Sequence, residues 1–316
     1  MNTPSNALPG PSPAAGAAPA RPLLWSVRRE LWENRYLYLV PLIAAGIAVI
    51  GFLWFSSHLP EKIRKAVELD PNVRYSLFMS SHDYIAALLI LVTGLVSAWY
   101  CLEALHGERR DRSILFWKSL PVSDLTTVLS KAAIPFVVMP AIAFAVILAT
   151  HLIMLLLATL IVLSNGGSPE ILWSHAPVFG NTWVLIYGLL TLTIWNAPVT
   201  AWLLVISAWA QRAPLLWAVL PPLVLVAIER IAFGTSYIGS VLRSRLNGGF
   251  SHAFVVRTNE ATAGAQGNSH DPMALAFNAI PDPAKFASSP AVWIGVVVAA
   301  ALLALAVWLR RRRDPI

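Results

Sequence analysis

The sequence predicts an all-α polytopic membrane protein with six transmembrane helices, an N-terminal interfacial helix and a short cytoplasmic helix between spans two and three. Three observations lead to this fold class: the composition, the long apolar runs and the placement of the basic residues. Of the 316 residues, 57% are hydrophobic and 12% are charged, whereas soluble domains have about 45–50% apolar and about 25% charged residues. Such a composition is typical of a chain that crosses a membrane several times.

Residues 1–36 precede the first long apolar run and divide into two parts. Residues 1–21 are mostly Pro, Ala, Gly, Ser and Asn, which predicts a disordered cytoplasmic tail. They lack the basic and apolar regions of a signal peptide, so we expect insertion through the first span. Residues 22–36 have helical spacing, with apolar side chains gathered on one side: Leu24, Trp25, Val27, Leu31, Trp32 and Tyr36.

The polar residues of the 22–36 helix are placed unevenly around it. Glu30, Glu33 and Asn34 lie opposite the apolar side, while Arg28 and Arg35 fall within it. Long basic side chains in such a position reach lipid phosphates. We therefore expect an interfacial helix on the inner leaflet; a cytoplasmic extension of the first span is the alternative.

Six apolar runs are candidates for membrane spans. A helix rises about 1.5 Å per residue, so about 20 residues cross a hydrocarbon core of about 30 Å. The third run is longer and contains Pro135 and Pro140, so we expect a tilted or kinked helix that begins below the membrane. We also expect Pro198, Pro221 and Pro222 to interrupt their helices. The runs cover residues 37–56, 83–105, 132–163, 183–209, 214–233 and 291–309.

The basic residues set the expected orientation. Most of the 23 Lys and Arg residues lie before the first span, between spans two and three, between spans four and five, or in the tail 310–316. Residues 164–182 contain neither Lys nor Arg. Because short cytoplasmic loops are enriched in basic residues, we expect both termini in the cytoplasm.

The most informative segment is the loop between spans two and three, residues 106–131. It combines charged residues with a short amphipathic stretch and a proline. On the residues alone, a docking helix for a soluble partner and a solvated turn that sets topology explain it equally well. The residues concerned are Glu108, Arg109, Arg110, Arg112, Leu115, Phe116, Trp117, Leu120 and Pro121.

The order of these parts resembles the permease subunit of type-2 ABC transporters, a mainly exporting class. In that family the segment after span two reads like E-R-x-x-G-T-x-x-x-L-x-S-L-P-V-S. Arg112 and Ser113 stand where the family often has Gly and Thr. The matching residues here are Glu108, Arg109, Ser119, Leu120, Pro121, Val122 and Ser123, and Leu115 lies two positions before the first Leu of the family pattern.

The resemblance implies that this loop holds a coupling helix, with Phe116 or Trp117 as the apolar anchor in a groove of an ABC ATPase subunit. It also implies a second permease copy, identical or related, and residence in the bacterial inner membrane. The chain has no G-x-x-x-x-G-K-[S/T] phosphate loop, so we expect ATP and Mg to bind the partner subunit and no cofactor to bind this chain.

Polar residues inside the spans are candidates for a substrate path. Thr193, Asn196 and Thr200 share one face of span four with Ser207. Hydrogen bonding between helices is the competing explanation. His151, midway along span three, is either a functional ionisable group or a packed histidine. Glu229 and Arg230, at the end of span five, are either gate residues or interfacial anchors.

The segment 234–290 is the largest one expected outside the membrane. We expect a short helix over 237–246 and a loop over 258–271. The spacing of its candidate metal ligands fits no metal-site pattern, and the single cysteine allows no disulfide. The ligands considered are His252, His270, Asp271 and Asp282.

Two other function classes remain beside the permease interpretation. A metalloprotease within the membrane would need an H-E-x-x-H motif, which the chain lacks. A non-transporting membrane partner, such as a sensor or assembly factor, would use the 106–131 loop to bind another protein. The net charge of +7 follows from arginines at membrane boundaries, so we expect no nucleic acid partner. The transported substrate is not predicted.

Overall fold

The structure is a computed structural model that describes residues 22–56, 71–110, 123–164, 166, 173, 178–256 and 279–312. These residues are predominantly helical. The helices are α1 (Pro22–Glu33), α2 (Tyr36–Ser56), α3 (Pro71–Glu103), α4 (His106–Arg110), α5 (Asp124–Ala133), α6 (Met139–Ser164), α7 (Val178–Trp195), α8 (Ala197–Trp209), α9 (Pro214–Phe233), α10 (Tyr237–Asn247), α11 (Gly249–Ala253), α12 (Pro283–Ser288) and α13 (Pro290–Arg312).

Five helical segments of the described chain are long and apolar enough to cross a membrane. A further pair, Thr182–Trp195 and Ala197–Trp209, qualifies if its two helices, bent by 51°, form one span. The helical fold class is therefore confirmed, and these segments are compatible with a polytopic membrane protein. The count of six spans and the coupling helix stay predictions. The five segments are Tyr36–Trp54, His82–Arg110, Asp124–Ser164, Pro214–Phe233 and Pro290–Arg312.

The outer surface of these helices is apolar, as a lipid environment requires. Large aliphatic side chains point away from the protein on every segment. So large an exposed apolar surface is typical of a protein that contacts lipid. Examples are Ile47, Leu95, Leu160, Leu216 and Val297, each more than half exposed.

Prolines bend the helices at some positions and not at others. A π-helical turn, Ile134–Val138, joins α5 to α6 and contains Pro135, as expected where a proline removes a backbone donor. Helix α9 stays helical across Pro221 and Pro222, so the prediction that they interrupt it is wrong. Pro222 leaves the carbonyl of Ala218 without its helical donor, and Trp202 Nε1 donates to that oxygen at 3.1 Å. A neighbouring helix thus supplies the missing hydrogen bond.

Two kinds of packing hold the bundle together. Helices α8 and α13 lie against each other along a cluster of small residues, Ala197, Ala201 and Ala299, which lets their backbones approach closely. A larger cluster around Leu37, Tyr100 and Ile134 joins α1, α2, α3 and α8. This second cluster lies at the end of the bundle that carries α1, α4, the first turn of α5 and the last turn of α13. We call this end of the bundle the basic end.

The described residues of the segment 234–290, which are 234–256 and 279–290, form a cap at the opposite end. The predicted helix over 237–246 is confirmed as α10. Strand β1 (Phe254–Val256) pairs with strand β2 (Ala279–Pro281) antiparallel, with Val255 opposite Ile280. This pair is not predictable from the sequence, because strands of three residues are too short to show an alternating pattern.

Candidate functional site

The polypeptide between α3 and α4 is held against the end of α8. Helix α3 ends at Glu103, and the backbone N–H groups of Leu105 and His106 both donate to Ser207 Oγ, at 2.9 and 3.0 Å. Arg109 Nη2 donates to the carbonyls of Ser207 and Ala210, at 2.6 and 3.0 Å. The last carbonyls of a helix lack intrahelical donors. Arg109 supplies donors to these carbonyls of α8 and thereby holds α4 against the end of α8.

Six charged side chains then form one chain of alternating sign at the basic end. We call them the buried charge cluster. Each member contacts the next, and the three acidic and three basic groups balance. In order they are Arg29, Glu30, Lys131, Glu108, Arg310 and Asp124.

The distances within the buried charge cluster are short. Lys131 Nζ lies 2.8 Å from Glu30 Oε1 and 3.1 Å from Glu108 Oε1. Arg310 Nη1 lies 2.7 Å from Glu108 Oε2, and its Nε lies 3.1 Å from Asp124 Oδ1. The side chains of Glu30, Lys131, Glu108 and Arg310 are only 2%, 4%, 9% and 5% exposed. Solvent therefore screens these pairs little.

Neutral groups complete the surroundings of Glu30. The hydroxyl of Tyr100, on α3, donates to Glu30 Oε2 at 2.9 Å, and Asn34 Nδ2 lies 3.4 Å from the same oxygen. Removing two charges from water costs several kcal/mol per ion unless hydrogen bonds and opposite charges compensate. Glu30 has both kinds of partner, hydrogen-bond donors and cations.

The buried charge cluster fixes both ends of the segment 111–122, which lies outside the described residues. Glu108 precedes that segment by three positions, and Asp124 follows its last residue by two positions. Ser123, the last residue of the S-L-P-V-S motif, is the N-cap of α5, since its Oγ accepts the N–H of Thr126 at 3.1 Å. The same cluster connects these ends to α1 through Glu30 and to α13 through Arg310.

The residues predicted to dock or couple an ATPase fall into two groups. Glu108 and Arg109 bond to other helices of this chain, and Arg110 is 60% exposed and lies 3.0 Å from Glu103. Glu108 and Arg109 therefore hold α4, the helix that precedes segment 111–122, against α8 and α13. The remaining predicted residues, Arg112, Leu115, Phe116, Trp117, Leu120 and Pro121, lie outside the described residues.

The candidate path residues mostly bond within their own helices. Thr193 Oγ1 donates to the carbonyl of Leu189 at 2.7 Å, and Asn196 Nδ2 donates to that of Leu192 at 3.0 Å. Thr200 lies half-buried on α8. Bonds of this kind, from a polar side chain to a carbonyl four residues earlier, stabilise the residue within its own helix. They are not evidence of contact with a substrate.

His151 contacts α3 instead of the face that carries Thr193. Its Nε2 lies 3.0 Å from the carbonyl oxygen of His82, and the two imidazole rings meet edge to face at 5.3 Å.

Glu229 is buried and acts as an anchor for the cap, because its carboxylate accepts the N–H of Ile238 at 2.8 Å and the hydroxyl of Thr235 at 3.0 Å.

A second polar assembly holds the cap on the break between α7 and α8. Trp195, the buried last residue of α7, donates through Nε1 to the carbonyls of Ser244 and Arg245, at 3.2 and 3.1 Å. The Arg245 guanidinium lies 4.6 Å from the Trp195 ring centroid, and the His252 ring stacks on that indole at 4.6 Å. Burial lowers the pKa of Arg245, although a guanidinium stays charged at neutral pH.

The acidic and histidine side chains of the cap have structural roles. Asp282 Oδ1 accepts the N–H of Lys285 at 2.9 Å and so caps α12, while His252 stacks as described. His270 and Asp271 lie outside the described residues. Within the part of the chain that the structure describes, no group of three or more potential ligands is placed to hold a metal ion.

Sequence reasoning missed Glu30, Lys131 and Arg310 as members of one site. Glu30 was expected on the polar side of the 22–36 helix, which is wrong because it is buried against Lys131, while Lys131 and Arg310 were interpreted as boundary charges. The pairs that join them are 101 and 202 residues apart along the chain. No local signal identified Glu30, because its helical spacing groups it with Glu33 and Asn34.

Comparisons with protein-family models, with curated proteins and with solved structures found no match to this chain. The resemblance to type-2 ABC permeases therefore rests on the order of the helices and on residues 106–131.

Proposed function

We propose that this chain is the permease subunit of an ATP-driven ABC exporter, coupled through residues 106–131 to a separate ATPase subunit. The observation that carries the proposal is the buried charge cluster. It holds the described residues on either side of the segment that bears the S-L-P-V-S motif and connects them to three of the candidate membrane-spanning helices.

The cluster gives the proposed coupling a physical route. A displacement of segment 111–122 acts on α3 and α4 through Glu108 and on the third span through Lys131. It also acts on the last span, because Arg310 bonds to both Glu108 and Asp124. These contacts lie in a poorly hydrated site, where ion pairs resist separation, so the helices move together when the segment is pushed.

The partners follow from the same proposal. The ATPase subunit binds ATP and Mg, and Phe116 and Trp117 anchor the coupling helix in its groove. A second permease copy, identical or related, completes the membrane unit. Mass measurement of the detergent-extracted complex is expected to give two permease-sized and two nucleotide-binding subunits. A transport-competent assembly with a single permease-sized chain would contradict this.

The proposal places both termini and segment 106–131 in the cytoplasm of a bacterium and the cap outside. Single cysteines introduced at Ser123 and Gln211 are expected to react only with a reagent that enters the cell. Cysteines at Ser57, Asn165 and Asn268 should react with an impermeant reagent. The buried native thiol of Cys101 is replaced by alanine throughout. Reaction of position 268 only from the cytoplasm would overturn the orientation.

A non-transporting membrane partner is the second candidate, favoured by the bonding of Thr193 and Asn196 to their own helices. An ATPase assay distinguishes the two. The chain is purified with its bound proteins, and ATP hydrolysis by any subunit containing a phosphate loop is measured with and without Phe116→Ala/Trp117→Ala. We expect the double variant to lose ATPase binding at least roughly thirtyfold, since each anchor in the groove contributes about 2 kcal/mol.

A matched control for this assay is Trp54→Ala. Trp54 lies at the end of the first candidate span that is far from residues 106–131, and 87% of its surface is accessible. This variant should bind and stimulate the ATPase like the unmodified chain. Equal binding and stimulation by the double variant and the control would leave the 106–131 loop without a coupling role.

A further inference from the structure

Helix α1 has two faces with different neighbours. One face turns inward: Val27 and Leu31 pack on the core cluster of the basic end, and Glu30 enters the buried charge cluster. The other face turns outward and carries Leu24, Trp25, Arg28 and Trp32, which recur at helical spacing. We call these four residues, with Arg35, the outer stripe.

The outer stripe holds a cation between two indole rings. The Arg28 guanidinium carbon lies 5.5 Å from the ring centroid of Trp25 and 4.9 Å from that of Trp32. Both rings remain 65% and 68% exposed. A guanidinium held over aromatic faces keeps its planar edge and its N–H donors available for an anionic oxygen.

The position of the outer stripe identifies what covers it. Only Asn34 and Arg35 separate α1 from α2, whose candidate span begins at Tyr36. The stripe therefore lies at the level where the first span leaves the bilayer. Tryptophan and arginine are the side chains that favour this interface, the indole at the headgroup level and the guanidinium at the phosphates.

We propose that the outer stripe binds the headgroups of anionic phospholipids, and that α1 transmits this contact to the buried charge cluster. The second part rests on the proposed permease function. Arg28 and Glu30 are two residues apart on a rigid helix, on opposite faces. A shift of α1 on the membrane surface therefore moves the Glu30 carboxylate relative to Lys131, and with it the ends of segment 111–122.

Lipid contact is tested on the chain alone, in nanodiscs that contain either phosphatidylglycerol or phosphatidylcholine with brominated acyl chains. Bromine quenches nearby indoles, and the signal of the outer stripe is the difference between the unmodified chain and Trp25→Phe/Trp32→Phe. An arginine near an anionic surface is expected to favour phosphatidylglycerol roughly fivefold. We expect that preference in the unmodified chain and its loss in Arg28→Gln. Arg311→Gln, an exposed arginine of the basic end, should retain it.

Two outcomes of the quenching experiment would overturn the proposal. Equal quenching by both lipids, unchanged in Arg28→Gln, would remove the selectivity for anionic headgroups. Quenching by neither lipid would show that a protein covers the outer stripe.

Transmission to the cluster is tested separately, in the purified complex with its ATPase. We expect the stimulated ATPase rate to rise with the fraction of phosphatidylglycerol, and this dependence to disappear in Arg28→Gln but not in Arg311→Gln. A rate that is independent of lipid charge, in a complex that still shows selective quenching, would refute the transmission. Failure of the permease proposal would appear differently, as the absence of any stimulated ATPase.

Discussion

Replacing Lys131 by methionine tests whether the buried charge cluster holds the basic end together. Lys131 Nζ is the cation between Glu30 and Glu108, at 2.8 and 3.1 Å. Methionine keeps an unbranched side chain of similar length, so the apolar packing of the lysine stem is largely preserved. The change therefore removes the charge while leaving the volume almost unaltered.

The expected cost follows from what the substitution leaves behind. Glu30 and Glu108 would both stay buried, with Arg29 and Arg310 as their remaining cationic neighbours. Removing one partner of a buried ion pair costs about 3–5 kcal/mol, which corresponds to a change of more than a hundredfold in the folding equilibrium. Replacing both partners of such a pair is often close to neutral, so Lys131→Met/Glu30→Gln should recover most of the loss.

The assay is reversible unfolding in mixed micelles, followed by circular dichroism, for the unmodified chain, both variants and a control. Arg110→Gln serves as the control, because the Arg110–Glu103 pair is exposed and such pairs contribute at most about 1 kcal/mol. A loss below about 1 kcal/mol for Lys131→Met, or no recovery in the double variant, would refute the assignment of these residues to one coupled cluster.

Three further predictions follow from single contacts. Ser207→Ala removes the acceptor of two buried N–H groups and should cost about 1–3 kcal/mol in the same unfolding assay; a neutral result would show that water replaces the hydroxyl. Gly295→Ala places a Cβ 2.8 Å from Arg245 Nη1, so it should destabilise the cap by about 1–3 kcal/mol. The measurement is the rate of proteolysis between residues 257 and 278, which should increase. Gly46→Ala, with open space around the glycine, should leave that rate unchanged. Trp202→Phe leaves the Ala218 carbonyl without a donor and should cost about 1 kcal/mol; an equal effect of Trp308→Phe would point to lost aromatic area instead.

The spans were predictable because a long apolar run has few alternatives. Pro214–Phe233 and Pro290–Arg312 coincide closely with the predicted runs, since lipid imposes both the length and the composition of a span. The helix α10 was predictable for a related reason, as its apolar residues recur with a helical period.

The buried charge cluster was not predictable in the same way. A glutamate in an amphipathic helix, such as Glu30, has the same local sequence whether it faces water or a lysine on another helix. Its burial depends on how α1 packs against α5, and that packing is set by contacts such as those of Val27 and Leu31 with distant residues. Local patterns hold no information on pairs so far apart in sequence.

The break after Trp195 combines both situations. Pro198 indicated an interruption near this position, and the structure has one at Asn196. That Trp195 binds the cap through Arg245 and His252 could not be deduced, because these partners come from a segment of mixed polarity some 50 residues later.

Photo-crosslinking from position 116 tests the central claim, that segment 111–122 docks on an ATPase subunit. A photoreactive phenylalanine derivative replaces Phe116, and a second sample carries it in place of Trp54 at the other end of the first span. We expect a covalent product between position 116 and a subunit that contains a phosphate loop, with a yield that changes on addition of ATP and Mg. The same products from both positions, or products of position 116 with lipid only, would contradict the coupling role.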